Sequence, residues 1–505
     1  MEKRLEKRFK DLLSIIRDYN ATGDFTTLRR AFEFAKLAHA GEKRYSGEEV
    51  IWHPLETALI LASWRMDLAT ITAGILHDTI EHGAATAKDV LQGFGEEILA
   101  LVEGVTKVSK IKLKGSSEEL FVENLRKMFL AIAKDLRIVF LRLAERLDNL
   151  KTLEYLPEER KVDYARNSLE IYAPLAERLG MAEAKDQIEN MAFQYAYIKD
   201  YEKVVDLSSP YYKNAERKII LMKKVLLKAL NKEGVTAQVY GRKKSLYSLW
   251  KKLQRSEISW DFKKINDVVA LRILVQEASE CYIALGVAHK FYKPVPQIAV
   301  NDFIAIPKPN GYRSIHTKVF GPGGNIVEIQ IRTFAMHEEA EYGAAAHWRL
   351  SSLKSAGKLN SKDIDEGKWA QGSDKFSWVR ELAQWQKEIA DSKEFLRAVK
   401  FDALSERIFV FSPKGDVYDL PVNSTPIDYA YAVHTDLGEY VKAAKVDEKI
   451  VPLSYKLTNG RVVEIIKSKN PKLPNKHWLE FVVTTQARQE INKYLRKVNS
   501  SLIHQ

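Results

Sequence analysis

Apolar residues return at helical spacing through most of the first part of the chain. The runs LETALILASWRMDL, EEILALVEGVTKV and LRIVFLRLAERLDNLKTL each gather them on one face, and glycine and proline fall between the runs. This predicts an almost wholly helical region to about Tyr195. Near Val235 the pattern changes. TAQVYGRKKSLYSLWKKL, VVALRILV and NIVEIQIRTF mix β-rich stretches with helical ones, which predicts an α/β or α+β domain. From Leu350 to about Ser373, Ser, Lys, Gly and Asp dominate, and the stretch reads as a linker or insertion. A helix is predicted over SWVRELAQWQKEIADSKEFLRAV. From Glu406 short strands alternate with turn residues, which predicts a small β-rich module. TTQARQEINKYLRKV closes the pattern as an amphipathic basic helix. No internal repeat is visible.

At 505 residues the chain is too long for one ordinary domain. A hydrophobic content of 46% supports packed cores and excludes a disordered chain. The single cysteine, Cys281, excludes an internal disulfide and fits a reducing compartment. The opening MEKRLEKRFKDLLSIIRDYN is charged from its second residue and lacks the apolar core of a signal peptide. No stretch approaches the ~18 apolar residues of a membrane span. A cytoplasmic protein without membrane partners is therefore expected. Lys+Arg 79 against Asp+Glu 67 leaves +12, which favours anionic partners such as nucleotides or RNA, and equally describes a basic surface.

In the helical part four positions stand out: His53 in IWHPLETA, His77 and Asp78 in GILHDTIEHG, and Glu145 in RLAERLDNL. Imidazole and carboxylate together suit Mn²⁺, Fe²⁺ or Zn²⁺, and such an ion activates water and polarises phosphoryl oxygens. Glu81, one turn after His77, is placed for base or electrostatic work. A His-Asp pair on a helix is also a common solvated polar face. YSGEEVIWHP, ILHDTIEHG and RLAERLDNLKTL resemble, in order and spacing, the motifs of HD-type phosphohydrolases, specifically the (p)ppGpp hydrolase domain. The resemblance implies that His53, His77, Asp78 and Glu145 hold Mn²⁺, that Glu81 is a catalytic carboxylate, and that Arg44 and Asn149 contact the nucleotide. The chain departs from the family at Glu145 (Asp), at Glu81-His82 (Glu-Asp), at Asp148 (His) and at Arg44-Tyr45 (a basic pair).

In the mixed part, YGRKKSLYSLWKKL offers Arg242, Lys243, Lys244, Ser248, Lys251 and Lys252 at a helix start, where they can grip phosphates or form an ordinary basic face. Asp267 precedes a β-forming run, a common place for a catalytic metal ligand, and Arg272 within that run can stack on a purine. Pro-Lys-Pro-Asn-Gly forces a tight loop ahead of Tyr312. A base stacked on tyrosine gains roughly 1–3 kcal/mol. Lys308, Asn310 and His316 supply polar contacts nearby. Alternation in NIVEIQIRT puts Val327, Ile329 and Ile331 on one face and Glu328, Gln330 and Arg332 on the other, either as a site wall or as a solvated face.

The stretch from YGRKKSLYSLWKKL through NDVVALRIL to EYGAAAHW is similar, nearly continuously, to the RelA/SpoT synthetase domain. That similarity implies a nucleotidyltransferase-like α/β fold that transfers pyrophosphate from ATP to the 3′-hydroxyl of GDP or GTP. It implies Mg²⁺ on Asp267 and Glu328, with Glu328 also the base. ATP would lie against Arg242, Lys244, Ser248, Lys251 and Arg272, and GDP or GTP against Lys308, Asn310, Tyr312, His316 and Gln330. Ala299 and Asn301 stand where the family places basic residues. The run from RIFVFSPKGDV to VVEIIKS resembles a TGS domain, a β-grasp module, and implies tRNA or ribosome contact through His434. A packed structural role for His434 is the alternative.

The expected architecture is a multidomain α+β chain: an all-α HD-type domain over 1–200, the synthetase over 201–350, a linker with a helix over 351–403, a TGS module over 404–468 and a helical tail over 469–505. No cysteine-rich zinc motif or amino-acid-sensing module follows, so a short form or a truncated chain is expected. Two other readings of function stay open: a hydrolase-dominant enzyme with a weak synthetase, and a nucleotide- or tRNA-binding regulator without chemistry.

Overall fold

The computed structural model describes residues 2–503 apart from 22, 82–84, 110–116, 266–267, 297, 309–310, 346–377, 379–381, 383, 386–388, 390 and 472–473. Asp267, Asn310, His82 and the expected linker over 351–373 lie outside the described residues. The chain divides into two compact units, Met1–Leu113 with Lys127–Phe376, and Lys114–Arg126 with Ser377–Gln505.

The chain begins with helices α1 (Glu2–Tyr19), α2 (Thr26–Ala38), α3 (Trp52–Ser63), α4 (Leu68–Leu76), α5 (Ala87–Phe94), α6 (Glu96–Ser109), α7 (Ser117–Lys134), α8 (Arg137–Lys151), α9 (Glu158–Asn167), α10 (Ala173–Arg178) and α11 (Ala182–Ala196); all belong to the first unit except the part of α7 up to Arg126. Three of them, α3, α4 and α8, make the core that matters. Leu55, Ala58 and Leu61 of α3, Ile71, Ala73 and Ile75 of α4, and Val139, Phe140 and Leu143 of α8 are buried. A Cβ on Gly74 would lie 2.6 Å from Leu61 Cδ1, so glycine lets α4 close onto α3. Asp67 caps α4 through Thr70 N at 2.8 Å. Because the first half of α8 is apolar nearly all round, the helix is central. Its second half therefore carries Glu145, Asp148 and Asn149 into the interior rather than to bulk water.

The 35-residue helix α12 (Ile198–Lys232) follows, with Pro210 inside it. The expected boundary at residue 200 falls in its first turn. Next come β1 (Gln238–Lys243), α13 (Leu246–Leu253), β2 (Val269–Val275), α14 (Ala278–Phe291), β3 (Asn301–Asp302), β4 (Ile315–Phe320), β5 (Ile326–Thr333) and α15 (Phe334–Tyr342). The strands form one sheet in the order β1-β2-β5-β4-β3. Only the β2–β5 pair is parallel. Alternation gives the sheet an apolar face of Val239, Leu271, Ile273, Val319, Val327, Ile329 and Ile331, which packs on Met222 and Leu226 of α12 and on Cys281 and Ala284 of α14. The opposite face is left for polar side chains.

In the second unit β6 (Arg407–Phe411) pairs with β7 (Val417–Pro421), and β8 (Val441–Val446) lies between β9 (Lys449–Val451) and β10 (Val463–Lys467). A parallel bridge from Phe411 to Val462 joins the two pairings. The helix Pro426–Val433 packs Tyr429 against Ile408, Val410 and Val463. Its Asp428 is fully buried, closing a capping box with Thr425 and accepting from Val483 N and Thr484 N at 2.9 and 2.8 Å. The last helix, Thr485–Ile503, covers the expected amphipathic tail and buries Ala487 and Ile491.

Candidate functional site

In the helical part three chain segments meet at one cavity of about 520 Å³. His53 lies in the first turn of α3, His77 caps the C-terminus of α4, and Asp78 follows it in the turn. His53 Nε2 and His77 Nε2 are 3.3 Å apart. Asp78 stands 3.2 Å from His77 Nε2 and 3.7 Å from His53 Nε2. The outer ring nitrogens are already used: His77 Nδ1 donates to Gly74 O at 2.8 Å, and His53 Nδ1 donates to Asp148 at 2.6 Å. The two Nε2 atoms are left facing each other in a buried place. Two nitrogens each about 2.1 Å from one ion lie about 3.0–3.4 Å apart. The donor set thus fits a divalent cation.

Glu145 does not join this group. His53, His77 and Asp78 have ligand atoms within 4.8 Å of one another, whereas the Glu145 carboxylate accepts from Arg142 at 2.7 Å. The longer glutamate arm lets it reach back one turn to a buried guanidinium. Burial pushes the Glu145 carboxyl up, but the charges of Arg142, His77 and His53 outweigh burial and hold it below its ordinary value. Glu145, Glu81, Arg44 and Asn149 all line the cavity. Arg44 donates to Asn149 Oδ1 at 2.6 Å and to Asp148 at 3.2 Å. Asp148, which sequence reading treated only as a departure, holds both His53 and Arg44. The signal for it was positional: it lies one turn beyond Glu145 on the same face of α8.

On the polar face of the sheet, strand register lines up Tyr240, Arg272, Gln330, His316 and Asn301 across all five strands. The adjoining row holds Arg242, Ala270, Glu328 and Lys318. Gln330 is buried, and its Oε1 has no hydrogen-bond partner among the described residues. The solvated-face alternative is therefore excluded for Gln330 and Arg332, which are 7% and 1% exposed. Tyr312 OH donates to His316 Nε2 at 2.8 Å, and His316 Nδ1 donates to Glu328 at 3.0 Å. Lys308 Nζ lies 5.2 Å over the Tyr312 ring. Burial lowers the pKa of Lys308, against the charges of Glu177 and Glu328.

Several of the basic and hydroxyl side chains before and on α13 are already paired with carboxylates of α11. Arg242 is bonded to Asp186 of α11. Ser248 Oγ donates to Glu189 of α11 at 3.3 Å, and Lys251 lies 3.8 Å from the same carboxylate. Lys244 precedes the Ser245 cap of α13 and is half-buried. Asp186 and Glu189 were missed in the sequence because nothing in a helical run marks which distant strand its carboxylates will meet. In the second unit the His434 side chain is 68% exposed, with Nδ1 accepting from Asp436 N at 3.2 Å. The packed alternative for His434 is overturned, since the residue sits between two short helices with its ring outward.

One chain thus carries a helical pocket with a metal-type donor set and a mixed sheet with polar side chains buried on one face. The description "HD domain" matches residues 31–182, "Region found in RelA / SpoT proteins" matches 241–354, and "TGS domain" matches 408–467. The chain is 41% identical over 484 residues to a GTP pyrophosphokinase of Myxococcus xanthus, covering 95% of this chain and 62% of that protein. It is 43% identical over 473 residues to a guanosine-3′,5′-bis(diphosphate) 3′-pyrophosphohydrolase of Aquifex aeolicus, covering 93% and 64%. With the bifunctional (p)ppGpp synthase/hydrolase SpoT of Escherichia coli it shares 38% identity over 490 residues, covering 97% of this chain and 68% of the relative. The chain belongs to the RelA/SpoT family, and it spans about two thirds of the length of these relatives. No described helix is long and apolar enough to cross a membrane.

Proposed function

We propose that the chain makes (p)ppGpp by moving a pyrophosphoryl group from ATP to the 3′-hydroxyl of GDP or GTP, and that its helical pocket removes the same group by hydrolysis. The observation that carries the first half is the polar row Tyr240–Arg272–Gln330–His316 beside Glu328, with Arg272 and Gln330 buried and an amide oxygen left for a ligand. In synthesis the 3′-oxygen attacks the β-phosphorus of ATP, the bond to the α-phosphate oxygen breaks, and AMP leaves. Positioning and charge neutralisation carry most of such a transfer. Glu328 takes the hydroxyl proton, with His316 fixing its carboxylate. Glu328 and Asp267 are the residues that would hold Mg²⁺, which neutralises phosphate charge when bound. Arg242 and Arg272 face the adenine, and Lys244, Ser248 and Lys251 grip the ATP phosphates. Tyr312 stacks on guanine, with Lys308, Asn310, His316 and Gln330 around GDP or GTP.

For hydrolysis His53, His77 and Asp78 would hold Mn²⁺, with Glu145 lining the same cavity. A bound ion of this kind supplies an activated water. Glu81 acts as the carboxylate that receives the water proton, and Arg44 and Asn149 orient the nucleotide. The products are GDP or GTP and pyrophosphate. Contact of the second unit with tRNA or ribosome through the exposed His434 belongs to the same reading, as does a cytoplasmic location.

One observation favours a hydrolase-dominant balance: Asp186 and Glu189 sit on three of the side chains assigned to ATP. Labelled ATP with GDP or GTP and Mg²⁺, and separately ppGpp with Mn²⁺, test both halves. The proposal expects AMP with (p)ppGpp in the first and pyrophosphate in the second. Nucleotide binding without either product would leave the regulator reading standing instead.

A further inference from the structure

We propose that Glu341 is a positioning residue for both nucleotides of the synthetase, acting through Arg272 and Arg332; this rests on the synthesis reading above. Glu341 lies in the last turn of α15, and a single oxygen, Oε1, accepts from Arg272 at 2.7 Å and from Arg332 at 2.8 Å. Arg332 also donates to His337 Nδ1 at 2.7 Å. That fixes the tautomer, so His337 Nε2 donates to the Tyr240 oxygen at 3.0 Å. Arg272 closes the ring by donating to the same oxygen at 3.4 Å. The five side chains form one loop of hydrogen bonds beneath the polar face of the sheet.

The loop joins the two halves of the site. Arg272, assigned to ATP, shares a cross-strand row with Gln330 and His316, assigned to GDP or GTP. Arg332 lies 5.9 Å from the ring centre of Tyr312, on the guanine side. Both residues are buried, 6% and 1% exposed, and the Nε of each has no hydrogen-bond partner among the described residues. Two cations this close in a dry place repel, and one carboxylate between them is what keeps them in fixed planes. Burial works against the Glu341 charge, yet the two arginine charges beside it hold its carboxyl down at about 2.

The helix carrying Glu341 is itself fixed. Gly343 ends α15 at φ 49, and a Cβ there would lie 2.2 Å from Leu179 O. The glycine therefore lets the helix end close onto the end of α10, and Ala344 N donates to Leu179 O at 2.8 Å.

The test compares the whole chain with Glu341→Gln, Glu341→Asp and Tyr240→Phe in steady-state synthesis and in titration with a fluorescent ATP analogue. Glu341→Gln keeps volume and removes charge, so KM for ATP and for GDP or GTP should each rise about tenfold, as charge-assisted bonds become neutral ones, with a smaller change in kcat. Glu341→Asp keeps the charge and should return both KM values most of the way, whereas a merely structural residue would show equal damage in both variants. Tyr240→Phe removes the shared oxygen and should raise KM for ATP alone by a few-fold. Should Glu341→Gln fail to fold, Glu341→Asp and Tyr240→Phe carry the test. Unchanged KM values in every folded variant overturn the proposal. A wild-type chain that makes no (p)ppGpp, but whose ATP-analogue affinity falls in Glu341→Gln, would sink the synthesis reading and leave the positioning role intact.

Discussion

Replacing Asp148 probes the helical pocket without touching a proposed metal ligand. The Asp148 carboxylate receives His53 Nδ1 at 2.6 Å, and the two side chains are 5% and 6% exposed. Asp148→Asn keeps the shape and one carbonyl oxygen, so the bond survives in neutral form. A charged hydrogen bond contributes about 1.5–3 kcal/mol and a neutral one about 0.5–1.5, so the change costs about 1–1.5 kcal/mol. At about 1.4 kcal/mol per power of ten, Mn²⁺ affinity should fall about tenfold. Asp148→Ala goes further, because it leaves a buried Nδ1–H unpaired and frees the ring to take the wrong tautomer; loss of such an orienting partner costs about 10–100-fold. Calorimetric titration of Mn²⁺ into metal-free protein reads both effects independently of turnover, and a thermal melt verifies folding. Equal Mn²⁺ affinity in the wild type and both variants would refute the claim that Asp148 sets the His53 ligand nitrogen.

Three further outcomes are expected. Glu328→Gln should abolish AMP and (p)ppGpp formation while leaving ATP-analogue binding largely intact, because an amide can neither take the hydroxyl proton nor hold a cation; near-normal turnover would sink that role. Tyr312→Ala should raise KM for GDP or GTP about tenfold or more, matching a stacking loss of about 1–3 kcal/mol, with little effect on KM for ATP; a larger effect on ATP would mean that the two nucleotide positions are exchanged. The double change Asp186→Asn with Glu189→Gln should tighten ATP-analogue binding several-fold, since it removes the carboxylates that occupy Arg242, Ser248 and Lys251; unchanged or weaker binding would contradict the idea that they compete with phosphate.

Much of this was legible in the sequence because it is local. The period of apolar residues announced α3, α6 and α8, and alternation in NIVEIQIRT set Glu328, Gln330 and Arg332 on one face, as the register of β5 shows. His53, His77 and Asp78 were recognisable as imidazole and carboxylate in short motifs, and the structure brings them together. What was not legible depends on partners far apart in the chain. Glu145 looked like a fourth ligand, but a buried Arg142 one turn earlier takes its carboxylate. Asp148 reads as a lost histidine until His53, 95 residues away, is found against it. Glu341 lies in a polar helical run with nothing to mark it, and only the fold shows it between Arg272 and Arg332. The positions of Asp267 and Asn310 remain sequence inferences, as both lie outside the described residues.

The central claim is that one chain forms the 3′-pyrophosphoryl bond on its sheet and breaks it in its helical pocket. The direct test is ³¹P NMR of the chain with ATP, GDP and Mg²⁺, run beside His77→Ala, which blocks the proposed hydrolysis. The account predicts AMP and ppGpp in equal amounts in His77→Ala. In the wild type with Mn²⁺ added it predicts ppGpp giving way to pyrophosphate and GDP. AMP without ppGpp in the variant, or no phosphorus signal changing in either chain, would contradict it.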